Sequence, residues 1–177
     1  MTKLEELREL GFYVTWKLID LGFKGSDVFR NELTARNIID FAITMVSNEQ
    51  DADDDVVGLA CEYDANVDKI NDYVVILARK ENSEYTLEFR KWRSLYVLRH
   101  LPNKEKDHIE GLIELGDIWA YFDFPPDSPH VFQGQNNNIT PELYYTKKNY
   151  NTILRKHIVW LNNEVKEIKK CQEDGSR

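Results

Sequence analysis

Cysteine is scarce in this sequence. Cys61 and Cys171 are the two present, far apart and outside any Cys-x-x-Cys pair, which argues against a disulfide scaffold and a thiolate zinc site. Long apolar runs are missing: none approaches the roughly 18–20 residues that span a bilayer. The N-terminal Met-Thr-Lys-Leu-Glu-Glu-Leu-Arg-Glu is charged and amphipathic, without the apolar stretch and cleavage site of a secretory signal. A cytoplasmic protein without membrane association is the expectation. Catalytic patterns are missing too. His100, His108, His130 and His157 form no HExxH or HxH spacing and no Cys/His pair. There is no Gly-x-Ser-x-Gly, Cys61 has no activating neighbours, and Gly22-x-x-Gly25-Ser26 lacks the spacing and lysine of a phosphate-binding loop. These absences point to a protein that is not an enzyme, with no catalytic residue, no metal and no cofactor. Excess positive charge is absent as well: 23 basic against 31 acidic side chains leave a net charge of −8, which disfavours nucleic acid as a partner.

What is present is the composition of a globular protein. Apolar residues make up 42% and charged residues 31% of 177 positions, which suits one domain with a sizeable core. A single domain over residues 1–174 is expected, with Gly175-Ser176-Arg177 read as a tag remnant. The charge is lopsided. Residues 49–72 hold nine acids (Glu49, Asp51, Asp53, Asp54, Asp55, Glu62, Asp64, Asp68, Asp72) and one base, Lys69. Residues 147–170 hold seven bases and two acids. Such fields steer association with oppositely charged partners.

Helical periodicity dominates. Thr2, with Glu5 three residues later, forms a capping-box pattern ahead of an apolar face of Leu4, Leu7 and Leu10. Thr15 caps a short helix predicted over residues 16–21 and closed by Gly22. A stronger helix follows Thr34, with Ile38, Ile39, Phe41, Ala42, Met45 and Val46 in a helical stripe. Residues 56–60 form a short helix with Asp53, Asp54 and Asp55 near its positive end. The run Tyr73-Val74-Val75-Ile76-Leu77 also fits a buried strand, but its Lys, Glu and Arg flanks favour helix. Further helices are predicted up to Pro102, over residues 104–118 although Gly111 and Gly116 weaken it, and from Thr140-Pro141 onward. The last carries Ile153, Leu154, Ile158, Leu161, Val165 and Ile168 on one side. Residues 122–138 hold Pro125, Pro126, Pro129, Gly134 and three consecutive asparagines, a long Pro/Asn-rich loop. The expected fold class is therefore all-α, a single domain of about seven to nine helices.

Two segments supply candidate partner-binding residues. Asp51, Asp53, Asp54, Asp55, Glu62 and Asp64 come from the acidic stretch, where carboxylates engage Arg and Lys of a basic protein and speed encounter. The alternative is a solvated acidic turn with favourable helix-terminal charges. Asp51, Asp53 and Asp55 alternate as calcium-loop ligands do, with Glu62 at the twelfth position, but the sixth holds Val56 instead of glycine. Asp123, Phe124, Asp127 and Phe132 come from the proline loop, whose aromatics suit interface anchors. The alternative there is that Trp119 and Phe122 pin the loop to the core. The basic C-terminal helix reads as a solvated face that pairs internally with the acidic segment.

Four stretches taken in order carry a family resemblance: Val14-Thr15-Trp16-Lys17-Leu18-Ile19 with Gly22; Leu33-Thr34 leading to Ile38-Ile39-Asp40-Phe41-Ala42; Lys91-Trp92; and Ile118-Trp119-Ala120-Tyr121-Phe122-Asp123-Phe124-Pro125. Over about residues 10–165 the chain resembles a family of small bacterial proteins known as an uncharacterised domain, most of which look all-helical. Pro126 and the insertion after it depart from that pattern. The family includes immunity proteins beside polymorphic or contact-dependent growth-inhibition toxins. The resemblance thus implies a cognate toxin C-terminal domain as partner, and it carries over no catalytic residue.

The expected function is that of an immunity protein that occludes the active site of a secreted toxin, a basic nuclease, with RNase ahead of DNase. Two alternatives stand beside it: a carboxylate-dependent metal hydrolase using Asp51, Asp53, Asp55 and Glu62, and a helical adaptor with a non-toxin partner.

Overall fold

The structure, a computed structural model, describes residues 1–48, 52–135 and 137–175. Asp51 and the end of the expected tag remnant, Ser176-Arg177, lie outside the described residues. Among the described residues there are nine helices: α1 (Lys3–Glu9), α2 (Trp16–Lys24), α3 (Ala35–Asn48), α4 (Asp54–Ala60), α5 (Val67–Arg79), α6 (Tyr85–His100), α7 (His108–Tyr121), α8 (Pro141–Tyr144) and α9 (Lys147–Gly175). The only β pairing among them is an isolated bridge between Ser26 and Phe29. The fold is all-α, and the ambiguous run 73–77 is helical, inside α5. The chain divides into two compact units, Met1–Trp92 with Ile168–Arg177, and Arg93–Glu167.

In the first unit, polar caps fix where helices begin. The Thr2 hydroxyl accepts from Glu5 N–H (3.3 Å) while the Glu5 carboxylate accepts from Thr2 N–H (2.7 Å), so the capping box forms as the spacing predicts. Thr15 caps α2 through Leu18 N–H (3.0 Å). Glu81, after α5, accepts from Trp16 N–H (2.8 Å) and Lys17 N–H (3.0 Å) in the same first turn. Contrary to expectation, α2 runs past Gly22 and ends at Gly25, whose φ is 73°. Gly22 is a packing position: an added Cβ would lie 2.4 Å from the Trp92 ring. The Trp92 indole N–H donates to Leu18 O (2.8 Å), tying α6 to α2. Leu18, Ile19, Ile38, Leu59, Ile70 and Val74 are fully buried, each worth about 1.5–3 kcal/mol of transfer free energy. They come from α2, α3, α4 and α5, and α5 packs against the other three helices.

In the second unit α7 starts four residues later than the pattern suggests, because Asp107 is the cap. Its carboxylate accepts from Ile109 N–H (2.9 Å) and Glu110 N–H (3.2 Å). Gly111 lets α9 close on α7: a Cβ there would lie 2.4 Å from the Tyr150 ring. The last helix is interrupted. After the single turn of α8 the chain restarts at α9 behind Thr146, whose hydroxyl accepts from Asn149 N–H (3.2 Å). Val97, Leu112, Leu115, Trp119, Tyr150 and Ile153 form the core. Trp119 and Phe122 are buried, so they anchor the proline loop from within.

Candidate functional site

The acidic segment belongs to the first unit, and its carboxylates have unequal fates. Asp53 caps α4, accepting from Asp55 N–H (2.9 Å). Asp53 and Asp55 both grip the Lys80 ammonium, at 2.7 and 2.8 Å. The hydrogen bond from Lys80, with the backbone bond from Asp55, holds the Asp53 carboxyl below the usual carboxylate range. Glu62 is mostly covered, accepts from the Asn66 amide (2.8 Å) and lies 3.7 Å from the Lys69 ammonium. These pairs run to Lys80 and Lys69, not to the basic C-terminal helix as expected. Asp54, Asp64, Asp68 and Asp72 are exposed and make no ion pair among the described residues. Set among them are exposed apolar side chains: Tyr63 at 77%, Val67 at 50% and Val57 at 39%. Sequence reasoning singled out the acids and missed these three.

The loop candidates belong to the second unit. Asp127 is committed to structure: its carboxylate takes two hydrogen bonds from Arg93, at 3.0 and 2.6 Å. Arg93 in turn stacks over Trp160 at 5.1 Å. Asp123 and Phe124 adopt left-handed backbone, φ 55° and 51°. That region is uncommon for non-glycine residues and most unfavourable for bulky ones. Phe124 is half exposed, and its ring meets Phe132 edge-on at 5.2 Å. Of the four loop candidates, Phe124 and Phe132 are brought together, Asp123 is exposed beside Phe124 in the chain, and Asp127 is turned to an internal ion pair.

Two buried polar clusters escaped the sequence reading. In the first unit the Lys91 ammonium lies 2.8 Å from the Glu88 carboxylate, with both side chains essentially inaccessible, and donates to Tyr13 O (3.0 Å). Burial raises the Glu88 carboxyl above its usual value, against the opposing pull of Lys91, Thr15 and Ser83. The pair lines a pocket of 560 Å³ with Tyr13, Thr15, Glu81 and Gln172. In the second unit the Trp119 indole N–H donates to His157 Nε2 (2.7 Å). An indole only donates, so His157 Nδ1 carries the proton and gives it to Ile153 O at 2.8 Å. Burial pushes His157 down to about 4. His130, hydrogen-bonded to Tyr144 OH at 3.0 Å, is pushed to about 3 by burial and by His157.

With this geometry in place, comparison with known proteins decides the family. The chain belongs to the family described as an uncharacterised protein conserved in bacteria (DUF2247). The match spans residues 4–165. No curated protein and no solved structure matches the chain. The stretches that carried the resemblance have fold-making roles here. Thr15 caps α2, Trp16, Trp92 and Trp119 are buried, Gly22 admits Trp92, and Lys91 neutralises Glu88. Among the described residues no helix is long and apolar enough to cross a membrane. Cys61 and Cys171 are exposed free thiols.

Proposed function

We propose that this member of the family is an immunity protein: it binds a cognate toxin C-terminal domain, a basic nuclease, and blocks it without chemistry of its own. The observation that carries the reading is the α4–α5 surface. Tyr63, Val57 and Val67 stand out of the first unit among the uncommitted carboxylates of Asp54, Asp64, Asp68 and Asp72. Exposed apolar and aromatic side chains interspersed with carboxylates combine groups that give affinity with charges that steer encounter. A face of carboxylates is complementary to a cleft that binds phosphates. The metal-hydrolase reading draws no support from Asp53 and Asp55, whose oxygens hold Lys80. No cluster of three or more ligating side chains occurs among the described residues.

The test looks for a toxin-like reading frame directly upstream of the gene and co-expresses its C-terminal domain with the chain; absence of such a frame would count against the reading. The wild-type chain is expected to restore growth and co-purify with that domain. Tyr63→Ala combined with Asp64→Lys and Asp68→Lys is expected to abolish both while the chain stays folded. Rescue by the triple variant as strong as by wild type would remove this surface from the interface.

A further inference from the structure

The second unit carries a pocket of 250 Å³ outside the acidic surface. Phe124, Phe132 and Tyr145 line it together with Gly116, Asp117 and Ala120 of α7. The Phe124 and Phe132 rings stand at 81° to one another, so together they make a right-angled aromatic corner. His130 also lines the pocket, its ring centroid 4.3 Å from that of Phe132, and burial, which lowers its pKa to about 3, keeps it uncharged near neutral pH. Gly116 and Ala120, one turn apart, extend no side chain beyond Cβ, so Phe132 and His130 approach α7 closely at Gly116. A Cβ on Gly116 would meet only ordinary contacts, at 3.5 Å from Phe132 and 3.7 Å from His130. Asp117 is the one formally charged residue lining the pocket, and it is exposed. Phe124 holds its place with left-handed backbone at Asp123 and Phe124, strain that its half-exposed ring does not offset by burial. Such strain clusters at ligand clamps.

Aromatic faces are electron-rich and attract cations, and a carboxylate at the mouth adds to the same preference. A guanidinium suits the corner better than an ammonium, because it is planar, stacks on rings and pairs bidentately with a carboxylate. We propose that this pocket receives an arginine side chain of the protein partner, stacked in the Phe124–Phe132 corner and paired with Asp117. The inference rests on the reading of a basic protein partner, but its test needs no partner.

The experiment is an NMR titration of the full chain with argininamide and, separately, with citrullinamide, its uncharged near-isostere. Argininamide is expected to shift the amide signals of Asp117, Phe124, Phe132 and Tyr145, saturating in the millimolar range. Citrullinamide is expected to shift them at least about tenfold more weakly. Phe124→Ala and Asp117→Asn, both at exposed positions, are each expected to weaken the argininamide response about fivefold or more. Equal response to both ligands, or a response that survives both substitutions, would overturn the proposal. Failure here with intact toxin neutralisation would remove the arginine pocket alone. Loss of toxin binding with an intact argininamide response would remove the toxin reading instead.

Discussion

In the unit of residues 1–92 and 168–177 the buried ionisable pair is Glu88 with Lys91. In the unit of residues 93–167 it is His130 with His157, ring centroids 5.5 Å apart. The first pair is held by opposite charge and the second by staying neutral. A buried ion pair offsets its desolvation by mutual attraction, and removing one partner leaves the other stranded. A buried neutral histidine is held by its hydrogen bonds, and it is lost when a proton must be accepted. Protonating His157 would place a hydrogen on Nε2, where the Trp119 indole already donates. Burial outweighs the pull of Lys91 on the Glu88 carboxyl and holds it above its usual value, so the folded chain takes up a proton at Glu88 more readily than the unfolded chain, and at His157 less readily.

The largest effect is expected from breaking the charged pair. Lys91→Met leaves the Glu88 carboxylate without its counter-ion and is expected to cost about 3–5 kcal/mol in urea unfolding at pH 7. The double variant Glu88→Gln with Lys91→Met is expected to recover most of that loss. A single variant within 1 kcal/mol of wild type, taking ~1 kcal/mol as the limit of an exposed pair, would show that the pair is not buried as described.

The next effect sets the two units against each other in pH. Unfolded histidine binds its proton near 6.5, whereas folded His157 binds it at about 4. Stability from His157 is thus complete above pH 6.5 and falls as pH drops toward 4, at about 1.4 kcal/mol per pH unit. Glu88 runs the other way: its raised carboxyl takes a proton first in the folded chain. Its contribution is fully present below the unfolded value of 4.5 and is lost as pH rises through the raised value. His157→Gln, which keeps an acceptor for Trp119, is expected to flatten the decline between pH 6.5 and 4 by roughly that slope, as read by urea midpoints across the range. An unchanged slope would take His157 out of the account.

The smallest pair of effects contrasts two helical glycines. Gly22→Ala, in the first unit, drives a methyl into the Trp92 ring and is expected to cost about 1–3 kcal/mol. Gly116→Ala, in the second, meets no close contact and is expected to stabilise by about 0.5–1 kcal/mol through helix propensity. Thermal midpoints that move in the same direction would break the contrast.

Local chemistry was legible in the sequence. The Thr2 and Thr15 caps, the α3 stripe and the buried face of α9 follow from spacing alone, whereas residues 73–77 in α5 fit a strand as well and only their charged flanks point to helix. Gly22 and Gly111 were not, since a helix stop and a close-packed glycine look identical until the opposing Trp92 and Tyr150 are in place. The acidic segment was visible as composition, but its division was not. Lys80 lies beyond the stretch in which the acids were counted, and it takes up Asp53 and Asp55 while leaving Asp54, Asp64, Asp68 and Asp72 to solvent. Glu88 and Lys91 left a faint signal, an opposite-charge pair at i,i+3 next to Trp92 in a matched motif. Periodicity assigns charged residues to the surface by default, so the pair was passed over.

The most direct test of the proposed binding surface is the salt dependence of association with the toxin domain, measured by stopped flow for wild type and for Asp54→Asn, Asp64→Asn, Asp68→Asn and Asp72→Asn combined. The account predicts a wild-type rate that falls steeply with ionic strength and a variant at least about tenfold slower at low salt, with most of that dependence gone. Equal rates and equal salt slopes for the two proteins would contradict it.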